Sequence, residues 1–230
     1  MWESAMEEEL INLLTGKTLS KENKDTLLWN GDKDGVFSVK SAYSTLSSQA
    51  NNASQDIFSA LWLATAVPKA VFTAWRILLG RLPTFDNLIR RGVVVNSPLC
   101  VFCKEVQETT QHLFIECGYA QRVWSLCLRW IDIAYVQHKD ISIHFESFYL
   151  YHLNAKQNQV WKGVWATIVR SIWDQRNLVV YKQGIVDAEE IFHLAQLSVW
   201  LKLRFGTIPF NYAFSDWVLN LDQCLQSCFC

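Results

Sequence analysis

Apolar residues recur at helical spacing through the middle of the chain, between positions 120 and 135. They stand at i, i+3, i+4, i+7, i+8, i+11 and i+15: Ala120, Val123, Trp124, Cys127, Leu128, Ile131 and Tyr135. In an α-helix these positions share one face, so the pattern predicts an amphipathic helix whose apolar side meets a protein core. Because Cys127 lies on that face, we expect it to be a core residue.

A second pattern predicts a long helix over Val160 to about Lys182. Paired apolar residues step by four positions along it: Val160-Trp161, Val164-Trp165, Ile168-Val169 and Ile172-Trp173. Asp187 and Glu190 then form an acidic N-terminal cap. They predict a further helix that runs to about Arg204.

Shorter elements are predicted nearer the N-terminus. Ser4 and Glu7 form a capping-box pattern, and Gly16 can close the helix that would start there. Two short apolar stretches, residues 26–29 and 36–37, flank a loop rich in Gly and Asp. This arrangement predicts a short β-hairpin.

Caps and breakers set the next boundaries. Ser38 can cap a helix that runs to about Ser47, and the polar stretch 47–56 is predicted to be a flexible loop. Pro68 suits the first turn of a helix over residues 69–79. Two further short helices are predicted, from Thr84 to about Arg91 and within residues 137–154.

The fold class predicted from these elements is mainly α: a helical domain with one short β-hairpin and one cysteine- and histidine-containing knuckle. We divide the chain into an N-terminal linker helix at residues 1–24, a central domain at 25–130 and a helical C-terminal extension at 131–230. No internal repeat and no low-complexity tract is found.

Composition limits the class of protein loosely. The chain has 230 residues, 50% of them hydrophobic, and a net charge of −1, so a sizeable core is expected and the total charge indicates no particular partner. The distribution of charge is more informative, because residues 61–104 carry six basic residues against one acid. This surplus indicates a local basic surface. Most of the eleven tryptophans are expected in the core.

The N-terminal sequence MWESAMEEEL is acidic where a secretory signal needs basic residues, so no signal peptide is predicted. The most apolar stretch, residues 57–80, is interrupted by Pro68-Lys69 and by Arg76, and no membrane span is expected. We therefore expect an intracellular, reducing compartment, the nucleus included. There the seven cysteines are expected to be thiols or metal ligands rather than disulfides.

Three cysteines and one histidine are grouped in the segment CVFCKEVQETTQHLFIEC, residues 100–117. Their spacing is C-x2-C, eight residues, then H-x4-C: Cys100, Cys103, His112 and Cys117. Structural zinc takes four such ligands in a tetrahedron, with no position left for a substrate water. The pattern predicts a closed structural zinc site, in which Thr109 or Thr110 starts the segment that carries the histidine. The other interpretation is three reduced core cysteines and a surface histidine.

The remaining cysteines and histidines lack ligand spacing. Cys224, Cys228 and Cys230 end the sequence as C-x3-C-x-C. Free thiols in a frayed tail are favoured there over a second metal site, which would lack a fourth ligand. Four histidines are expected on the surface or in loops: His138, His144, His152 and His193.

No catalytic constellation is visible. A polymerase needs paired aspartates to hold two metal ions, and no Tyr-x-Asp-Asp or similar pair occurs. The nucleophile-elbow, phosphate-loop, metalloprotease and zinc-deaminase motifs are also missing. The sequence therefore predicts a protein that is not an enzyme.

Three segments follow the order and spacing of a known family pattern: LLWNGDKDGVFSVKSAYSTL, LWLATAVPKAVFTAWRILLGRLPTFDNLIRRG and CVFCKEVQETTQHLFIECGYAQRVW. Together they resemble the zinc-binding domain (zf-RVT) of plant LINE-type reverse transcriptases, which belong to non-LTR retrotransposons. The resemblance covers about residues 25–125. Two later segments, IWDQRNLVVYKQG and PFNYAFSDW, are similar to the region C-terminal to this domain in such polyproteins. The chain thus resembles the C-terminal part of a retrotransposon polyprotein.

The resemblance implies that residues 25–130 are the zinc-binding domain and that four residues bind Zn²⁺: Cys100, Cys103, His112 and Cys117. It also implies RNA or DNA as a partner, with a reverse transcriptase acting in trans as another. Phosphate contacts would come from the basic residues beside the zinc segment: Lys69, Arg76, Arg81, Arg90 and Arg91. Trp75, Phe85 or Phe102 would stack on unpaired bases.

Two other interpretations stay open. A structural or protein-interaction remnant that once braced the polymerase would expose apolar surface and bind no nucleic acid. The basic stretch would then be the solvated side of two helices. A degraded copy of the element would have no selected function.

Overall fold

The computed structural model describes residues 7, 11–12, 15, 28–49, 52–133, 138–207 and 209–227. The chain divides into two compact units, Met1–Asn51 and Asn52–Cys230. Helices account for most of the described residues, so the predicted mainly α class is confirmed. The helix predicted between Ser4 and Gly16 lies almost wholly outside the described residues.

In the first unit, helix α1 spans Val39–Gln49 and begins where the sequence predicted it. Ser38 precedes the helix, and its side-chain Oγ accepts a hydrogen bond from the backbone N–H of Ser41 at 3.0 Å. This contact satisfies one of the backbone donors that the first turn of a helix leaves unpaired.

The predicted β-hairpin is not shown: residues 28–37 have turns and irregular backbone without a strand, and residues 26–27 lie outside the described part. The Trp29 backbone N–H donates to the Gly35 carbonyl at 2.8 Å, whereas a hairpin needs a ladder of such bonds. The Trp29 indole Nε1 donates to the Ser41 Oγ at 2.9 Å. The loop is therefore anchored on α1 rather than on a partner strand.

The described part of the second unit contains nine α-helices and one π-helix. They are α2 Asn52–Trp62, α3 Pro68–Leu78, α4 Phe85–Arg90, π1 His112–Glu116, α5 Gly118–Trp130, α6 Ile141–Ser147, α7 Ala155–Lys182, α8 Ala188–Arg204, α9 Phe214–Leu219 and α10 Leu221–Ser227. Helices α3, α4 and α8 confirm predictions from the sequence within one or two residues at each end. Helices α5 and α7 are also confirmed, but α5 ends five residues before Tyr135 and α7 begins five residues before Val160.

The long helix α7 lies at the centre of the second unit and packs against α3 and α8. It buries side chains around much of its circumference, Trp161 and Trp165 among them. A capping box closes its first turn: the Gln157 backbone N–H donates to Asn154 Oδ1, and the Asn154 backbone N–H donates to Gln157 Oε1, each at 2.9 Å. The predicted end near Lys182 is confirmed.

The connection between α2 and α3 is held closely against α7. The Thr65 backbone N–H donates to the Gln159 carbonyl at 2.8 Å. A Cβ atom at Gly163 would overlap the Thr65 carbonyl oxygen, so glycine allows the two backbones to approach. This contact fixes where α3 and its basic residues lie relative to α7.

One prediction about an irregular segment is wrong, that of a flexible loop at residues 47–56. The flexible loop predicted for residues 47–56 is largely helical, because α1 continues to Gln49 and α2 begins at Asn52. Leu61 of α2 is fully buried, and such packing extends a helix into polar sequence that has no periodic pattern of its own. The closing segment forms α9 and α10, which bury Trp217 and Leu225.

One hydrophobic core runs through the second unit, from Leu61 to Leu225, and includes the cysteine segment. The division into residues 1–24, 25–130 and 131–230 stays a prediction. Among the described helices, none combines the length and the apolar composition that a membrane crossing requires.

Candidate metal centre

Four side chains converge in the second unit, and their potential ligand atoms all lie within 4.8 Å of one another: Cys100, Cys103, His112 and Cys117. The Sγ atoms of Cys100 and Cys117 are 3.9 Å apart, and Cys103 Sγ lies 3.3 Å from His112 Nε2. Ligands in a tetrahedron around zinc, with bonds of about 2.3 Å to sulfur and about 2.0 Å to nitrogen, are separated by about 3.5–3.8 Å. The donor set and its spacing therefore fit a zinc ion.

A tight turn brings the first two cysteines together. The Cys100 backbone N–H donates to the Val106 carbonyl at 2.7 Å, and the Lys104 N–H donates to the Cys100 carbonyl at 2.8 Å. Lys104 adopts a left-handed conformation with φ of 59°, which reverses the chain directly after Cys103. The C-x2-C spacing thus folds as the sequence predicted.

The other two donors are placed by π1. The Cys117 backbone N–H donates to the His112 carbonyl at 2.8 Å, which is the i→i+5 bond of a π-helix. In an α-helix residues five apart point roughly 140° away from each other, so the wider turn brings the imidazole and the thiol to the same side. The predicted start at Thr109 is confirmed, because its Oγ1 accepts the His112 N–H at 3.0 Å.

The two innermost sulfur atoms are hydrogen-bonded to each other, at 3.9 Å. The Cys100 thiol donates to Cys117 Sγ; this bond raises the pKa of Cys100, and burial raises it further. The same bond lowers the pKa of Cys117, helped by the backbone N–H groups of Tyr119 and Ala120 at the start of α5. A cation must replace that proton if both buried sulfurs are to be thiolates.

A buried ion pair connects α7 to the segment that carries the four donors, residues 100–117 (the metal segment). Arg176 and Glu108 have side chains 2% and 0% exposed, and Arg176 Nη2 and Nε donate to Glu108 Oε1 and Oε2 at 2.8 and 3.2 Å. Glu108 Oε1 also accepts the Phe85 backbone N–H at 3.0 Å, at the start of α4. One carboxylate therefore joins the segment before His112 to two helices.

The five basic residues predicted to contact nucleic acid lie on α3, on α4 and beside them: Lys69, Arg76, Arg81, Arg90 and Arg91. Arg76 is half-buried and the others are exposed. The guanidinium groups of two of them are brought together at the backbone of a third, because Nη2 of Arg76 and Nη2 of Arg91 donate to the Arg81 carbonyl at 3.3 and 3.2 Å. Arg90 is partly neutralised by Asp86, 3.6 Å away.

Of the three aromatic residues expected to stack on bases, one is inaccessible and the other two are half-buried. Phe102 is buried in the metal segment. One face of Phe85 is covered by the Arg176 guanidinium, 4.5 Å from the ring centre. Trp75 is half-buried. Burial depends on which face of a helix meets the core, and the unperiodic sequence around Phe85 and Phe102 gives no signal of it.

Two exposed aromatic residues that the sequence did not single out lie beside Trp75. Trp62 and Phe72 are 55% and 52% exposed. Their ring centres are 6.1 and 5.3 Å from that of Trp75. The three rings form a partly exposed aromatic surface on α2 and α3.

The predictions for the remaining cysteines are confirmed in one case and not in another. Cys127 is buried on α5, as predicted. Cys224 is buried on α10 rather than in a frayed tail, whereas Cys228 and Cys230 lie outside the described residues. None of the cysteines that the structure describes forms a disulfide.

The prediction that His144 is a surface residue is wrong, because it is 1% exposed. Its Nδ1 accepts a hydrogen bond from Trp165 Nε1 at 2.9 Å. Ile141, Phe145 and Phe148 are buried with it, at helical spacing that could have indicated its place. His152 is exposed, with Nε2 2.7 Å from Asp222 Oδ1.

The comparisons with known proteins agree with the geometry. Residues 37–124 match the family described as zinc-binding in reverse transcriptase. The matched segment contains all four donors that cluster: Cys100, Cys103, His112 and Cys117. No curated protein and no solved structure matches the chain significantly. The match covers less than half of the chain, and Arg176 lies beyond it.

Proposed function

We propose that the chain is a non-catalytic zinc-binding module derived from a plant LINE-type retrotransposon reverse transcriptase, and that it binds RNA or DNA. The observation that carries the zinc assignment is the convergence of four donor atoms within 4.8 Å. The family match over residues 37–124 supports the origin from a reverse transcriptase. The chain would act beside a polymerase supplied in trans.

The donor set favours zinc among the divalent metals. Three thiolates and one imidazole are soft ligands, which suit zinc better than magnesium, calcium or manganese. Four protein ligands fill a tetrahedron, so no position is left at which a water or substrate could bind. The site is therefore proposed to stabilise the fold and not to perform chemistry.

Zinc would join three elements of the second unit. Cys100 and Cys103 come from the C-x2-C turn, His112 begins π1, and Cys117 is the N-cap of α5. Binding all four donors would fix this arrangement, because the site does not exist in the unfolded chain. The Glu108–Arg176 pair would then hold this arrangement in a fixed position against α7.

The basic surface on α3 and α4 supports nucleic-acid binding. The Arg76, Arg81 and Arg91 group is drawn together by a single carbonyl oxygen, in a protein whose net charge is −1. Clustered cations in a balanced protein attract phosphates, and binding of this kind weakens steeply as salt is raised.

A protein-interaction remnant is the second candidate. Val94 and Leu99 are 93% and 40% exposed and line a cavity of about 590 Å³ beside Cys100. An exposed apolar surface of this kind is typical of a site that meets another protein. In that case the basic residues would be solvated and nucleic acid would not bind.

Zinc stoichiometry and thiol counting test the first part of the proposal. The purified protein should contain one zinc and show four zinc-free thiols out of seven cysteines. Chelation should reduce the helical signal, because metal binding and folding are coupled. Metal-free protein with unchanged helicity and seven reactive thiols would contradict the proposal.

A salt titration of RNA and DNA binding separates the two candidates. A steep linear fall of log affinity with log salt supports phosphate contacts by the basic surface. Protein that carries zinc but binds neither RNA nor DNA at low salt favours the interaction remnant.

A further inference from the structure

A groove of about 620 Å³ opens between α2, α3 and α7. Its wall contains three cations and three aromatic rings: Lys69, Arg76, Arg170, Trp62, Phe72 and Trp173. No acidic side chain is among the residues that line it. Two of the cations, Lys69 and Arg76, belong to the basic surface on α3 and α4, but Arg170 and the aromatic residues were not predicted from the sequence to contact a ligand.

The aromatic side of the groove offers flat apolar faces to solvent. Trp62 and Phe72 are each more than half exposed, whereas Trp173 of the same groove is only 8% exposed. Trp75 supports both rings from behind. Exposed aromatic rings next to cations are the usual means by which proteins hold unpaired bases, because every base presents a flat π face.

Hydrogen bonds fix the orientation of Arg170 on the cationic side of the groove. The Arg170 guanidinium donates to Asp174 Oδ2 at 2.7 Å through Nε and to Thr73 Oγ1 at 3.1 Å through Nη1. Asp174 neutralises part of its charge, while Lys69 is exposed on the opposite helix. Arg76 is held by the Arg81 carbonyl, so the groove is continuous with the basic group on α4.

A second cavity, of about 510 Å³, adjoins the first. It also is lined by Lys69 and Arg170, together with residues of α8 such as Leu194. The two cations therefore stand between two cavities, each large enough for one nucleoside. Cations between two nucleoside-sized cavities follow the order of groups along a nucleic-acid strand, in which a phosphate lies between successive nucleosides.

We propose that this pair of cavities binds single-stranded RNA or DNA, with a base stacked on Trp62 and Phe72 and a backbone phosphate between Lys69 and Arg170. The inference rests on the proposed nucleic-acid binding and adds the strand state and the contact residues. A duplex does not fit these contacts, because its bases stack on each other and do not expose their faces to a side chain.

Fluorescence anisotropy with the 230-residue, zinc-loaded protein tests the inference. The probes are fluorescein-labelled oligothymidylate, oligouridylate and the duplex of oligothymidylate with oligodeoxyadenylate. We expect a single strand to bind at least about tenfold more tightly than the duplex. Trp62→Ala should weaken single-strand binding by about tenfold and leave its salt dependence unchanged, because stacking involves no counterion release. Lys69→Ala should instead reduce the slope of log affinity against log salt by about one.

Tyr181→Ala is the matched control, since Tyr181 is an exposed aromatic residue of α7 that lines neither cavity. It should bind as the wild type does. Equal affinity for duplex and single strand, with no effect of Trp62→Ala, would overturn the groove while leaving nucleic-acid binding in place. Absence of binding to every probe would overturn both the groove and the proposed function.

Photo-crosslinking of the wild-type protein removes any dependence on the folding of a variant. Oligonucleotides that carry 5-iodouracil crosslink to aromatic residues in contact with the base. We expect crosslinked peptides that contain Trp62 or Phe72. Crosslinks confined to peptides elsewhere in the chain would overturn the inference.

Discussion

Arg176 Nη2 donates to Glu108 Oε1 at 2.8 Å across 68 residues of sequence, in a site where both side chains are buried. Glu108 directly precedes the threonines that start the histidine segment, and Arg176 lies on the long central helix α7. The Arg176 guanidinium also lies over the Phe85 ring, 4.5 Å from its centre. The pair therefore sets the position of the metal segment against the core of the second unit.

Removing one member of this pair should be costly. Arg176→Met leaves the Glu108 carboxylate buried without its cationic partner, so the free energy of unfolding should fall by about 3–5 kcal/mol. Adding Glu108→Gln to the same chain should recover part of the loss, because the uncompensated charge is then gone. Urea unfolding of the zinc-loaded proteins at neutral pH measures both effects.

The control is a surface ion pair. Arg122 pairs with Glu189, and both side chains are more than half exposed. Arg122→Met should have no measurable effect on stability, because water and salt screen exposed pairs. Similar losses for the two arginine variants would mean that burial of the Glu108 pair has no special role.

Much of the metal centre could be predicted from the sequence, because its ligand types and spacing are local. Cys100 and Cys103 need only a tight turn, and Thr109 is a recognisable helix start. The π turn that aligns His112 with Cys117 could not be predicted, since H-x4-C is also compatible with an α-helix. The partner of Glu108 could not be predicted either, because a contact over 68 residues leaves no local pattern.

The helical fold was predictable where apolar residues repeat, as in α5 and α7. It was not predictable in polar or unperiodic sequence such as residues 47–56, where packing of distant residues decides the conformation. His144 shows the same limitation in a side chain. Because histidine is polar, His144 was predicted to lie on the surface, but its apolar neighbours at helical spacing place it in the core.

Gly163 should tolerate no side chain. Gly163→Ala should lower the free energy of unfolding by about 2 kcal/mol or more, because the added Cβ overlaps the Thr65 carbonyl oxygen and the two backbones must separate. Gly118→Ala is the matched control, since a Cβ at Gly118 meets nothing within 4 Å. Thermal unfolding of both variants measures the difference, and equal melting temperatures would contradict close packing at Thr65.

His144 should make stability depend on pH. Burial lowers its pKa to about 4 from the ordinary 6.5, and the positive charges of His138 and Lys162 add to the effect. The unfolded chain then binds more protons than the folded protein between these values, so stability is complete above pH 6.5 and declines as pH falls towards 4. Protonation at Nδ1 would also remove the acceptor for Trp165 Nε1.

The His144→Asn variant isolates this contribution from zinc loss, which both proteins share at low pH. Between about pH 7 and pH 5 the wild type should lose roughly 2 kcal/mol more than the variant in urea unfolding. Parallel pH profiles would show that His144 does not titrate between these limits.

Replacing one ligand should abolish zinc binding, whereas replacing a buried cysteine outside the cluster should not. Cys103→Ser should lack stoichiometric zinc and lose about 4 kcal/mol or more of stability when free zinc is about a thousandfold above the wild-type Kd. Cys127→Ala, a buried cysteine of α5 outside the cluster, should keep its zinc and lose roughly 1 kcal/mol through a small cavity. Zinc content by mass spectrometry and thermal unfolding separate the two outcomes, and zinc retained by the Cys103 variant would exclude this cysteine as a ligand.

X-ray absorption at the zinc edge tests the proposed ligand set most directly, because it reports the atoms bound to the metal in the intact protein. For Cys100, Cys103, His112 and Cys117 it should give three sulfur atoms at about 2.3 Å and one nitrogen at about 2.0 Å. A first shell made mainly of oxygen and nitrogen, or one with a single sulfur, would contradict the account.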